Sequence, residues 1–197
     1  PPPPPPPPPA FFFQAHAGIP DSVASRGLGD VYKRQVLAPG PHYPPYMAYP
    51  QMFGATTIEY RMDPEDGWRI DIDDIRSKMD DNVRLLVLIN PNNPTGNVAT
   101  ADEIDALLEI ASEWPKCAVI SDEIYDGLDF TGDFVSTASR SESTPVITLN
   151  GVSKVYFAPG WRVGYMAWHD PLGITTLFRD GFDKCFAKRA SATSDEH

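Results

Sequence analysis

Three short apolar runs, each broken off by a cluster of polar residues, constrain this 197-residue chain more than any other feature. They are Leu85–Ile89 within RLLVLI, Ala118–Ile120, and the β-branched Val146–Thr148. Each is apolar throughout rather than alternating, which is the pattern of strands covered on both faces. The cluster NPNNPTG, Asn90 to Gly96, ends the first run; Asp122 and Tyr125 emerge after the second; Lys154 follows the third. Between the first two runs lies a helix signal. Thr100 and Glu103 form a capping-box pair, and Ile104, Leu107, Leu108 and Ala111 recur on one face before Pro115. Strand, helix, strand in that order argues for a right-handed βαβ unit, which brings Asn93 and Asp122 to one rim of a sheet. Open α/β sheets bind ligands at that rim, outside the carboxyl ends of their strands.

The residues at these ends have matching chemistry. In LNGVSKVYFAPGWRVGY, Leu149 to Tyr165, Arg162 follows Lys154 by eight residues, after a Pro159–Gly160 break. A lysine at a strand end can form an imine with an aldehyde, and a nearby arginine can hold a phosphate dianion; together they would seat pyridoxal phosphate. In CAVISDEIYDGLDF, Cys117 to Phe130, Asp122 stands where the apolar run ends, and a carboxylate buried there beside a cation would be held ionised. The plainer reading is a solvated acidic loop, since Glu123, Asp126 and Asp129 crowd the same stretch.

The three motifs, in this order and at this spacing, resemble those of the class I/II aminotransferases, the fold-type I pyridoxal-phosphate enzymes. The resemblance implies an α/β fold, a three-layer doubly wound, mostly parallel sheet corresponding to the large cofactor-binding domain and incomplete here. It implies that Lys154 carries the pyridoxal 5'-phosphate and shuttles the substrate proton, and that Asp122 keeps the pyridine nitrogen protonated. Tyr125 would donate to the ring's phenolic oxygen, Asn93 would contact that oxygen and the substrate carboxylate, and Arg162 would bind the phosphate. Asn90 and Asn92 read as turn formers. Upstream, Val36–Ala38 followed by PGPHYPPYMAYP resembles the segment whose aromatic residue stacks on the ring, with Tyr43 in that place. Tyr43, Tyr46 and Tyr49 at spacing three would equally suit one packed face of a helix. Trp161 to Trp168 reads as a strand with Arg162 near its start, Gly164 allowing close backbone approach. Where some members carry a phosphate-binding hydroxyl, this chain has Gly151, leaving Ser153 as a lesser candidate. Burial and a neighbouring cation are expected to keep the Lys154 amine neutral.

The resemblance covers about residues 36–170. Residues 1–35, with nine opening prolines and the aperiodic stretch Gly18 to Gln35, read as a low-complexity, non-native segment; residues 171–197 read as a divergent or truncated tail. RGLGDVYK completes no phosphate-binding motif, and Lys184, Lys188 and Arg189 read as a solvated face. Two parts of the family pattern are not found in the chain. They are an upstream phosphate loop with its cross-subunit tyrosine, and a downstream small domain whose arginine grips the substrate carboxylate. Arg179 and Arg189 lie too close behind Arg162 for that role.

The activity implied is alanine- or aspartate-type transfer of an amino group between an amino acid and a 2-oxo acid. The chain alone is expected to turn over poorly, and the full-length form to be a cytoplasmic homodimer. Two rivals are another pyridoxal-phosphate reaction on the same fold, such as a C–S β-lyase, and a non-catalytic truncated remnant. Composition narrows the partners. A net charge of −11 and a pI near 4.6 oppose a nucleic-acid partner, which needs clustered Lys and Arg. No apolar run reaches membrane-spanning length. Cys117 and Cys185 are too few for a disulfide framework, and His16, His42, His169 and His197 lack metal-ligand spacing.

Overall fold

The computed structural model describes residues 34–173 and 175. The polyproline opening, the residues up to 33, and Arg179, Lys184, Cys185, Lys188, Arg189 and His197 lie outside the described residues. The described chain folds as β1 (Gln35–Gly40), α1 (Pro45–Met52), β2 (Thr56–Asp63), β3 (Arg69–Ile70) and α2 (Ile72–Lys78). It continues as β4 (Val83–Ile89), α3 (Ala101–Ser112), β5 (Ala118–Asp122), β6 (Val146–Gly151) and β7 (Gly164–His169). The strands form one seven-stranded sheet in the order β3-β2-β1-β4-β5-β6-β7. The five central strands are parallel, and the edge strands β3 and β7 run antiparallel to their neighbours. This is the expected doubly wound, mostly parallel α/β sheet. Because β1 neighbours both β2 and β4, the strand order reverses between β1 and β4, where such sheets form a crevice.

The uniformly apolar runs are explained by cores on both faces of the sheet. In β4, Leu86 and Leu88 enter a large cluster that holds Ile104, Leu107, Leu108 and Ala111 of α3 and Ile75 of α2. Val87 and Ile89, the alternate residues of that strand, enter a smaller cluster with Val36 and Ala38, against which Tyr46 of α1 packs. Each fully buried leucine or isoleucine contributes about 1.5–3 kcal/mol. The capping box of α3 is present. Thr100 Oγ1 accepts from Glu103 N at 3.2 Å, and Glu103 Oε2 accepts from Thr100 N at 2.8 Å. Glu103 Oε1 also accepts from Ile70 N at 2.9 Å, so this buried carboxylate ties α3 to the edge strand as well.

Two sequence readings need correction. Tyr43 precedes α1, which begins at Pro45, so the three tyrosines do not share a helix face; Tyr46 packs inward while Tyr49 is exposed. The strand read over Trp161 to Trp168 is shorter and shifted. Pro159–Trp161 make a single 3₁₀ turn, Arg162 takes a left-handed conformation (φ 52°), and β7 starts at Gly164. The ladder with β6 ends at the pair Gly151–Gly164; beyond it, Val152 N donates to the Val163 carbonyl at 3.2 Å, and the chain then bends into the turn.

Candidate active site

Register places the chemistry. Asp122, last in β5, lies level with Ile89 of β4 and Leu149 of β6. The loops carrying Asn93 and Lys154 therefore leave the same rim beside it. Tyr43, after β1, completes the set across the point where strand order reverses. Tyr43, Asn93, Asp122, Tyr125, Lys154 and Arg162, the six residues singled out in the sequence, line one cavity of about 330 Å³.

Asp122, on the same face of β5 as Ile120, belongs to the α1 side, and Glu123, just past the strand, turns to the opposite side, where it meets Ser121. Asp122 Oδ2 accepts a 2.6 Å hydrogen bond from Tyr46 Oη, and Oδ1 accepts from Ile124 N at 3.3 Å. Among the described residues Asp122 has no ion-pair partner. Partial burial pushes its carboxyl above the usual carboxylate range, and the bonds from Tyr46 and Ile124 pull against that rise. The Tyr46 phenol is pushed up first by burial and then by the Asp122 charge, so it stays a donor at neutral pH. Glu123, which the solvated-loop reading placed in water, is instead 4% exposed. Its Oε1 accepts from Ser121 Oγ (2.8 Å), Ser136 Oγ (3.0 Å) and Thr137 N (3.1 Å), and burial raises its pKa.

Asn93 Nδ2 donates to Tyr125 Oη at 3.1 Å, joining the β4 turn to the segment after β5. Lys154 Nζ stands 5.6 Å from the Tyr125 ring centroid, within cation–π range. Lys154 is exposed, contrary to the expected burial: it sits on a turn beyond β6, outside both cores. Arg162 is also exposed and donates from Nη1 to the Pro159 carbonyl at 3.1 Å. Tyr43, 48% exposed, meets the Tyr46 ring edge-to-face at 6.5 Å.

Asn90 and Asn92 do shape the turn. Asn90 Oδ1 accepts from Ala99 N at 2.9 Å, and Asn92 Nδ2 donates to Thr95 Oγ1 at 2.9 Å. Gly151 has a structural reason to lack a side chain. A Cβ there would sit 2.9 Å from Val163 O and 3.1 Å from Gly164 Cα, so a hydroxyl residue would force β7 away. Ser153 lines the cavity. Sequence reading treated Tyr46 only as a packing residue; its one available signal was a phenol one helical turn beyond Tyr43.

Fold and site together place the chain among open α/β proteins with a cavity where the strands end. Comparison with known proteins narrows this class. The family model for aminotransferase class I and II matches residues 24–185, and the chain belongs to that family. It is 40% identical over 141 residues to a probable aminotransferase of Arabidopsis thaliana, covering 71% of this chain and 31% of that protein. An S-alkyl-thiohydroximate lyase of the same plant is also 40% identical over 141 residues, covering 71% and 30%. Among solved structures, the alanine aminotransferase from Pyrococcus furiosus aligns with a TM-score of 0.77 and 40% identity, over 84% of this chain and 44% of that one. The chain thus spans about a third of the length of the curated relatives it matches.

Proposed function

We propose that the cavity binds pyridoxal 5'-phosphate and that the protein to which this chain belongs transfers an amino group between an amino acid and a 2-oxo acid. The observation that carries the reading is the convergence of Lys154, Asp122 and Asn93 from three strand ends on one cavity. The donor set suits the group. Asp122 is a partly buried carboxylate with no cation beside it among the described residues, which a protonated pyridine nitrogen would supply. Arg162 offers guanidinium donors beyond the one given to Pro159.

When bound, the cofactor supplies an aldehyde for amines and a ring that accepts the electron pair left when a substrate Cα–H bond breaks. The residues of the chain do the rest. Lys154 Nζ would tether the cofactor and, as a free amine, would carry the proton from the substrate Cα. Asp122 would hold a proton on the ring nitrogen, with Tyr46 fixing the orientation of that carboxylate. Tyr125 Oη would donate to the phenolic oxygen, with Asn93 holding Tyr125 in place. Arg162, with Ser153 nearby, would take the phosphate, and Tyr43 would pack on the ring.

Incubation with pyridoxal phosphate, borohydride reduction and mass mapping tests the reading. The expected product is modification concentrated at Lys154, and labelling spread evenly over exposed lysines such as Lys116 would overturn it. The lyase relative, as similar as the aminotransferase relative, favours a second reading, C–S β-elimination. Product analysis on a full-length version separates the two, since elimination releases ammonia with the 2-oxo acid and transamination does not. Because the chain spans only about a third of those relatives, turnover by the 197-residue chain alone is expected to be slight, the behaviour of a truncated remnant. The full-length protein is read as a cytoplasmic homodimer, a state that light scattering checks.

A further inference from the structure

The segment after β5 touches the lysine-bearing segment at three points, using three consecutive residues. The Tyr125 ring lies 5.6 Å from Lys154 Nζ. Asp126 Oδ2 accepts from Asn150 Nδ2 at 2.9 Å, and Asn150 Oδ1 in turn accepts from Gly151 N at 2.6 Å. Gly127 abuts Val155, the residue directly after the lysine: a Cβ at position 127 would lie 2.6 Å from Val155 Cγ1 and 3.1 Å from Cγ2. The same turn is fastened from behind. Asp126 N donates to the Glu123 carbonyl at 3.0 Å, and the Glu123 side chain is held by Ser121, Ser136 and Thr137.

From these contacts we infer that the turn Tyr125–Gly127 is a buttress that sets the position of Lys154, with Asp126 and Gly127 as positioning residues. Lys154 itself sits outside both cores, so packing against the sheet does not fix it. The turn grips the segment on either side of the amine instead, at Asn150 before it and Val155 after it. Gly127 is required for steric reasons alone, since any side chain there drives into a β-branched neighbour that is stiff about χ1. The inference deepens the pyridoxal-phosphate reading and rests on it.

The test uses the whole 197-residue chain, pyridoxal phosphate and borohydride, and reads the ratio of labelling at Lys154 to labelling at exposed Lys116. Gly127→Ala is expected to lower that ratio by roughly ten- to a hundredfold, since misplacing a reacting group by about an ångström can cost about a hundredfold. Gly127→Ala with Val155→Ala removes both clashing methyls and is expected to bring the ratio back to within about twofold of the unchanged chain. Asp126→Ala, which frees Asn150, is expected to lower the ratio without creating a clash, and it serves if Gly127→Ala does not fold by circular dichroism. If the unchanged chain shows no preference for Lys154, the cofactor reading itself fails. If that preference exists and survives Gly127→Ala or Asp126→Ala, or the double variant does not restore it, the buttress is wrong.

Discussion

The sheet around α3 and the segment from Ser153 to Val163 are built on different terms. Ile104 and Leu107 of α3 are fully enclosed, whereas Tyr156, Phe157 and Trp161 are 73%, 84% and 75% exposed. Asp122 issues from a strand clamped between two apolar clusters, and Asn93 follows on a turn anchored by the buried Asn90 and Asn92. Lys154 and Arg162 hang from turns and are held by a few local bonds and contacts. One cavity thus has a rigid wall carrying acid and amide, and an open wall carrying amine and guanidinium.

Substitutions on the two walls should differ accordingly. The largest effect is expected at Leu107→Ala, where loss of a fully buried side chain costs about 2–5 kcal/mol in chemical denaturation. A cost below about 1 kcal/mol would mean that the first wall is not rigid. Next comes Tyr46→Phe, which removes the donor to Asp122 and should cost about 1 kcal/mol while raising the Asp122 pKa further. Cofactor retention should weaken in parallel, read from visible absorbance after gel filtration.

A pH effect of the same wall follows from Glu123. Its folded pKa lies above its unfolded one, so the folded state binds the proton more tightly. Its contribution to stability therefore grows as pH falls from above the folded value to below the unfolded one. Glu123→Gln should flatten that part of the stability–pH curve relative to the unchanged chain; an unchanged slope would refute the assignment. The smallest stability effect is expected on the open wall. Lys154→Ala should shift unfolding by less than about 0.5 kcal/mol yet abolish cofactor absorbance, and a large destabilisation would erase the contrast between the walls.

Much of the fixed wall was legible in the sequence. The all-apolar composition of Leu85–Ile89 follows from alternate residues serving two cores, and Thr100 with Glu103 marked the start of α3 through local bonds only. The contact of Tyr46 with Asp122 was not legible, because it joins residues 76 apart and depends on how α1 docks on the sheet. Glu123 looked like one more solvated acid because two of its donors, the Ser136 hydroxyl and the Thr137 N–H, come from a later loop. The two-residue strand β3 has too little pattern to announce itself. The motif letters named Arg162, but its left-handed turn was hidden because the strand signal around it ran through the break at Pro159 and Gly160.

The neighbouring carboxylates at the end of β5 carry one last implication. Alternation along a strand gives Asp122 to the cavity and Glu123 to a cage of hydroxyls, and that division depends on alignment with β4 and β6 rather than on either side chain. Slide the middle strand by one position and the acids trade places: the longer one would face the cavity, and the shorter would be sealed away. Which acid lines the cavity is thus a matter of strand alignment, written as much in Val119 and Ile120 as in the acids themselves.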